Sequence, residues 1–365
     1  MLAAASRAGA RSISTLPPSS TISVTGACGY IGSHVVRELL GRGFRVNAAV
    51  LREGDAQHLK HLPNAAENLA VFGNCDLAEP GSYDSAFSDA QGVIHSAAIV
   101  ALGASPKIVS LSVDGTRNIL ASVDKHPGIK AYAHTSSCAA IQRYDVPLDH
   151  VFTEQDWNDW STLERGDGYG VAKTEAERVV KEHFRDDERH SAVLNPNVSI
   201  GPVFTKQHSV ASVLMVREII FGNKAVFFPA SFIDVRDVAT AHVNALLTPE
   251  ANKRRFILVG DADPCDQREL AAVASRLFPA MQFDAPAQIP PSIMQNVLIP
   301  LSRLPIVGSK ILTPFQREIQ TQRVFKYDNA AAKEVLGVTF RDLDLSVRDA
   351  VESLVEGGYA KPRFK

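Results

Sequence analysis

The chain has 365 residues, 45% hydrophobic and 21% charged, with 38 Lys and Arg against 40 Asp and Glu, which is ordinary for a soluble globular protein. A formal net charge of −2 without a long basic run argues against a nucleic-acid partner, and no run of about 18 apolar residues is present to cross a membrane. The length suits one large or two small domains, and the four scattered cysteines (Cys28, Cys75, Cys138, Cys265), with no CxxC pair, read as reduced, buried thiols.

Residues 1–20 contain Arg7, Arg11, several serines and no acid; the first acidic residue is Glu38. Wound as a helix, Leu2, Ile13 and Leu16 fall on one side and both arginines on the other, which is the chemistry of a mitochondrial presequence. A flexible Ala/Ser tail is the alternative, because Gly9 weakens any helix there. Cytoplasm and mitochondrion both stay open as compartments. From Thr21 to about Gly201, strand-like runs alternate with helical patterns, the signature of a parallel sheet covered on both faces. Strands are expected at Thr21–Thr25, Arg45–Leu51, Leu69–Phe72, Gly92–Ser96, Lys130–Thr135 and Ser191–Asn195. Helices are expected at Tyr30–Leu40, Pro80–Ser88, Lys107–Asp124 and Gly168–Arg185. Beyond Gly201 the alternation loosens, with a further strand at Arg255–Val259 and helices near Gln267–Leu277 and Asn329–Leu336. The apolar stretch Ile293–Leu312 is broken by Pro300, Arg303, Pro305 and Lys310. It reads as a loop with short helices over an apolar pocket, or as a peripheral membrane contact.

Thr25-Gly26-Ala27-Cys28-Gly29-Tyr30-Ile31-Gly32 ends the first strand and opens the first helix. Gly26 permits a tight turn, Gly29 lets backbone approach a pyrophosphate, and Gly32 lets helix and strand pack closely, with phosphate meeting the positive helix end. Tyr169 and Lys173 are four residues apart on a predicted helix, so both face one pocket. A neighbouring ammonium favours phenolate, so Tyr169 is expected to have a lowered pKa and to serve as proton donor and acceptor. Ser137 ends the fifth strand, at the carboxyl edge where open parallel sheets bind ligands. Strand alternation points Ser136 and Ser137 to opposite faces. No His, Cys, Asp and Glu cluster has metal spacing, and His34, His95 and His134 read as packing residues.

In this order the motifs resemble those of the extended short-chain dehydrogenases/reductases, the epimerase/dehydratase-like group. They are the TGxxGxxG opening, Gly92-Val93-Ile94-His95-Ser96-Ala97-Ala98, Val113-Asp114-Gly115-Thr116-Arg117-Asn118 and Thr135-Ser136-Ser137. The YxxxK pair, Pro196 to Pro202, Phe232 to Ala239 and Asp328-Asn329 leading to Leu336-Gly337 complete the set. The resemblance covers about residues 21–355. Its nearest branch holds dihydroflavonol reductases, cinnamoyl-CoA reductases and fungal aldehyde/ketone reductases. It implies an α/β fold, a Rossmann-type doubly wound parallel sheet with a smaller C-terminal substrate lobe. Residues 21–201, with a returning segment at about 232–260, would form the NAD(P)-binding domain. Residues 202–231 and 261–355 would form the substrate lobe, and 356–365 a tail.

By the same resemblance Ser137, Tyr169 and Lys173 are the catalytic set. Gly26, Gly29, Tyr30, Ile31, Gly32, Arg52, Asp76, Leu77, Ala97, Ala98, Lys173, Pro196 and Val198 line the cofactor. The position where NAD-using relatives carry an acid falls on Val50, and Arg52 follows, so NADP (as NADPH) is preferred and NAD is second. The expected activity is reduction of a medium-sized, largely apolar aldehyde or ketone, or oxidation of the alcohol. The pocket would be roofed by residues of about 140–165, 203–230 and 285–320. Phe204 is the favoured lining residue, with Trp157, Trp160, Phe227 and Phe228 as further candidates. A helix-paired homodimer is a family-level expectation. A hydroxysteroid or sterol dehydrogenase, a nucleotide-sugar epimerase or dehydratase, and a non-enzymatic NADP sensor are the competing readings. The epimerase reading lacks its acid at Val50 and its acidic pair at Cys138-Ala139.

Overall fold

Seven strands pair in parallel through the centre of the molecule. They are β1 (Thr21–Thr25), β2 (Arg45–Ala49), β3 (Leu69–Phe72), β4 (Gly92–His95), β5 (Ala131–Thr135), β6 (His190–Pro196) and β7 (Arg254–Leu258). The computed structural model describes residues 16, 17, 19–98, 105–209, 211–221, 230–284, 291–304, 311–320 and 324–365. The spatial order is β3-β2-β1-β4-β5-β6-β7, with Val24 opposite Ala48 of β2 on one side and Ile94 of β4 on the other. The chain thus winds outward in both directions from β1. The crevice beyond the carboxyl ends of β1 and β4 is where this topology places ligands.

The inner strands are buried on both faces, because successive side chains alternate and both layers are covered, whereas the edge strand β3 is only half-buried. Ile94, Ala131, Ala133, Ala192 and Leu194 face one core, shared with Val35, Val36, Leu39 and Leu40 of α1 (Tyr30–Gly41). Val93, Tyr132 and Val193 face the other, shared with Ile119, Leu120 and Val123 of α2 (Pro106–Lys125) and Val180 of α3 (Gly168–His183). A separate core joins α4 (Leu214–Phe221), α6 (Gln267–Leu277) and α7 (Leu343–Glu356) through Val216, Ile219, Leu270, Ala274, Val347 and Val351. The segment Phe232–Ala239 ties the two parts together. Asp234 caps α5 (Val235–Leu247), accepts from Arg236 at 2.6 Å and takes the Ser346 hydroxyl at 2.8 Å, while Asp237 accepts the Arg341 backbone N–H at 2.7 Å.

Two expectations are corrected. The helix expected at Pro80–Ser88 shrinks to Asp84–Phe87, since Gly81 is left-handed (φ +78°) and Ser82 folds back to donate to the Asp76 carbonyl at 2.7 Å. The folded chain also starts before Thr21. Leu16 is buried at 2% exposure in the α1 core, and a Cβ on Gly92 would sit 2.8 Å from its side chain. Residues 1–15 of the N-terminal segment lie outside the described residues. Cys75, Cys138 and Cys265 are buried and Cys28 is half-buried. No helix among the described residues is long and apolar enough to cross a membrane.

Candidate active site

An open recess lies at the carboxyl edge of β4 and β5. Leu77, His95, Ala97, Ala98, Thr135 and Ser112 line it together with Tyr169 and Lys173 from α3. Beside it α2 packs closely on Leu77, where a Cβ on Gly115 would meet the side chain at 3.0 Å. At the glycine turn the backbone is too close for side chains. Gly26 is left-handed (φ +64°), and a Cβ there would fall 2.7 Å from Ala97 Cα; one on Gly32 would fall 2.2 Å from the Gly26 carbonyl oxygen. The first turn of α1 has no side-chain cap and no acid. Its free N–H groups and positive end therefore point outward beside the turn, a ready anion site. By contrast α3, α5, α6 and α7 all start at a capping aspartate (Asp167, Asp234, Asp266, Asp342).

The opposite orientation expected for Ser136 and Ser137 is not kept: β5 ends at Thr135, and both hydroxyls reach α3. Ser136 is buried and donates to Glu177 at 2.5 Å. Ser137 is half-buried, hydrogen-bonded to the Tyr169 phenol, and its oxygen accepts the Ala139 N–H at 3.1 Å. Its hydroxyl also reaches the Pro196 carbonyl at 3.4 Å, which brings Pro196 to the same edge. Val198 is half-buried one step on and opens a short strand, Val198–Ile200. Lys173 donates to the Thr135 carbonyl at 3.3 Å, with its ammonium 5.9 Å from the Tyr169 ring centroid. A buried network sets the start of α3: Asp167 accepts Gly170 N–H at 2.9 Å and the Ser161 hydroxyl at 2.5 Å, and Asn158 donates to Ser161 at 2.8 Å.

The expected lowering of the phenol is corrected. Desolvation dominates and pushes Tyr169 up, and the hydrogen bond from Ser137 opposes it only in part. Burial also depresses the Lys173 ammonium, to about 8, with Glu177 pulling the other way. Burial holds His95 at about 3 and His134 well below its usual value, so both rings on the recess floor are neutral.

The remaining sequence candidates separate. Tyr30 and Ile31 stand at the start of α1, but their side chains turn into the protein. Ile31 packs on the α1 core and Tyr30 on the C-terminal core, its hydroxyl buried without a partner. Asp76 sits in the loop after β3 with one oxygen on the Ala78 N–H at 2.9 Å. Arg52 is exposed and paired with Asp55 at 3.0 Å, near enough to Cys28 of the glycine loop for both charges to act on that thiol. Val50 is buried at 1% exposure.

Phe204 is not at the recess. Its ring stacks on His34 at 4.4 Å, on the flank of α1, with the Arg37 guanidinium 5.9 Å away. Gly201 (φ +139°) swings the chain there, and Ser353 then accepts the Val203 N–H at 2.9 Å. Phe204→Ala is accordingly expected to lower the melting temperature while leaving the ranking of kcat/KM across a carbonyl panel unchanged. A reordered panel would return Phe204 to the pocket. Trp157 is likewise displaced, packed against the Arg255 guanidinium at 4.0 Å. Trp160 stands in a cluster with Tyr144 (4.9 Å) that continues to Phe325 and Phe315, none of which lines the recess. Phe227 and Phe228 lie outside the described residues. Among the described residues one trio has ligand-like spacing, Asp124, His183 and Asp187. Arg189 already serves as its cation, donating to Asp124 at 2.6 Å and through Nε to Asp187 at 2.9 Å.

A doubly wound parallel sheet with a side-chain-free glycine turn and a serine, tyrosine and lysine at one crevice defines a dinucleotide-binding enzyme fold. The model of the NAD dependent epimerase/dehydratase family matches residues 22–260, and the chain belongs to that family. A cinnamoyl-CoA reductase of Oryza sativa subsp. japonica is 34% identical over 269 residues, 71% of this chain and 76% of the relative. A ketoreductase of Aspergillus niger is 28% identical over 359 residues, 91% and 97% of the two chains. The NADPH complex of Gre2 from Candida albicans shares the fold with a TM-score of 0.75 at 24% identity, covering 93% of this chain and 99% of that one.

Proposed function

We propose that the chain is an NADP-dependent carbonyl reductase acting on a medium-sized, largely apolar aldehyde or ketone, or on the alcohol in reverse. Tyr169 and Lys173 lining one recess beside the glycine turn, with Ser137 against the Tyr169 phenol, is the observation that carries this reading. The dinucleotide fits the residues present. The Gly26 and Gly32 cradle and the uncapped α1 terminus would take its pyrophosphate, and Ala97 and Ala98 would flank its groove. When bound, it supplies the hydride. Tyr169, held protonated by burial, would donate its proton to the carbonyl oxygen, and Ser137 would hold that oxygen by hydrogen bonding. Lys173 would contribute a positive charge beneath the phenol. Buried Val50 cannot accept a ribose hydroxyl, whereas exposed Arg52 can exchange Asp55 for a 2′-phosphate, which favours NADP. The relatives named as reductases point the same way.

Turnover of an aldehyde and ketone panel with NADPH and with NADH tests the reading, and no turnover with either cofactor would sink it. The ammonium of Lys173 is present below and lost above about pH 8. The kcat–pH profile is therefore expected to fall on the alkaline side near that value, as the positive charge beside Tyr169 disappears. A helix-paired homodimer belongs to the same proposal, checked by sedimentation velocity. So does a peripheral lipid contact. Ile293, Val297 and Leu301 are exposed along the helical run 291–301 and Leu304 just beyond it, in a stretch (285–317) with three cations and no acid. Failure to co-sediment with phosphatidylserine vesicles would remove that contact.

A further inference from the structure

The Glu177 side chain is fully buried, one helical turn beyond Lys173 and two beyond Tyr169, on the face of α3 that they share. One oxygen accepts the Arg255 Nε–H. The other accepts the Ser136 hydroxyl at 2.5 Å and Asn195 Nδ2 at 2.7 Å. Ser136 precedes Ser137, and Asn195 Nδ2 also donates to the Ser137 carbonyl at 3.1 Å. Arg255 goes on to the carbonyls of Glu154 at 2.8 Å and Asp156 at 2.6 Å, and packs against Trp157. One carboxylate therefore joins the ends of β5, β6 and β7 to the helix that carries Tyr169 and Lys173.

A purely structural tie would not need charge. Burying an ion pair costs desolvation, and apolar residues of similar volume commonly serve stability as well or better. What the carboxylate adds is a negative charge one turn from Lys173. The groups facing Lys173 from other elements are His95 of β4 and His134 of β5, both neutral, with His242 of α5 behind them. Lys181 and Arg255 lie on the far side of Glu177. Glu177 is the acid that favours the charged form of Lys173 against burial.

Taking the carbonyl-reductase reading as given, we propose that Glu177 is a positioning residue. It locks Ser137 in register with Tyr169 and Lys173 and holds the positive charge on Lys173. Glu177→Gln is expected to lower kcat by about 10²-fold, the cost of misplacing a reacting group by about 1 Å. KM for NADPH should stay near wild type, and the alkaline limb of the kcat–pH profile should move to lower pH. Glu177→Asp recovers part of both effects. Because removing one partner of a buried pair can unfold a chain, the double variant Glu177→Gln, Arg255→Met supplies a charge-balanced form. It is expected to melt near wild type yet keep the low kcat and the moved limb; wild-type values for both would overturn the role. Acetylation of Lys173 by acetic anhydride across pH, read by mass spectrometry, follows the same ammonium without turnover. Labelling should begin at lower pH in Glu177→Gln. Should wild type reduce no carbonyl while labelling still shifts, only the reductase reading falls. Identical labelling profiles remove Glu177 from its role whatever the turnover.

Discussion

Tyr169→Phe is expected to lower kcat by about 10²–10⁴-fold, the range that a positioned general acid supplies, while NADPH affinity stays nearly unchanged. The substitution deletes one oxygen at the recess and keeps the ring that packs there. The groups that would hold the dinucleotide (the turn at Gly26 and Gly32 and the open end of α1) are backbone features on another element. Steady-state kinetics beside a fluorescence titration of NADPH separates the two effects. Undiminished turnover in the purified variant would strip Tyr169 of the role. The opposite split, intact kcat with lost affinity, would make Tyr169 a binding group.

The second large effect is expected at the turn. Gly32→Ala places a methyl 2.2 Å from the Gly26 carbonyl oxygen and 3.0 Å from Ser96 Oγ, and neither can yield cheaply. The oxygen belongs to the turn itself, and Ser96 is held by its hydrogen bond to the Thr25 carbonyl at 2.7 Å. Gly26→Ala adds a left-handed alanine pressed on the Ala97 backbone. Each strained position costs about 1–3 kcal/mol, so NADPH affinity should fall by roughly ten- to a hundredfold. Calorimetric titration with a melting curve decides the matter. Wild-type affinity in both variants would mean that the turn does not meet the pyrophosphate, and the dinucleotide site would have to be sought elsewhere.

The framework was legible because it depends on short-range pattern. Strand runs at Thr21–Thr25 and Leu69–Phe72 and the helix at Gln267–Leu277 coincide with the observed elements. Ser137 was set over Ser136 by the resemblance of the Thr-Ser-Ser motif; alternation does not decide it, because β5 ends at Thr135 and both hydroxyls reach α3. Asp167 was missed, although an aspartate just before a helix is a recognisable cap signal. Glu177 was missed as well, although counting one further turn from Lys173 puts it on the same face. The error at Phe204 had no such local cure. Adjacency to the Pro196–Gly201 stretch suggested the pocket, but the left-handed backbone at Gly201 and the packing on His34 carry that ring to the flank of α1.

The residues alone determined the alternation of strands and helices, the side-chain-free turn at Gly26, Gly29 and Gly32, and the spacing that puts Tyr169 and Lys173 on one helix face. These are local: each needs only the period of an element and the size of a side chain. The tertiary structure decided which groups are neutral, that Tyr169 is pushed up and not down, and that Glu177 gathers Ser136, Asn195 and Arg255 at one point. Those properties come from desolvation and from contacts between residues distant in the chain, and only the packed molecule brings both into existence.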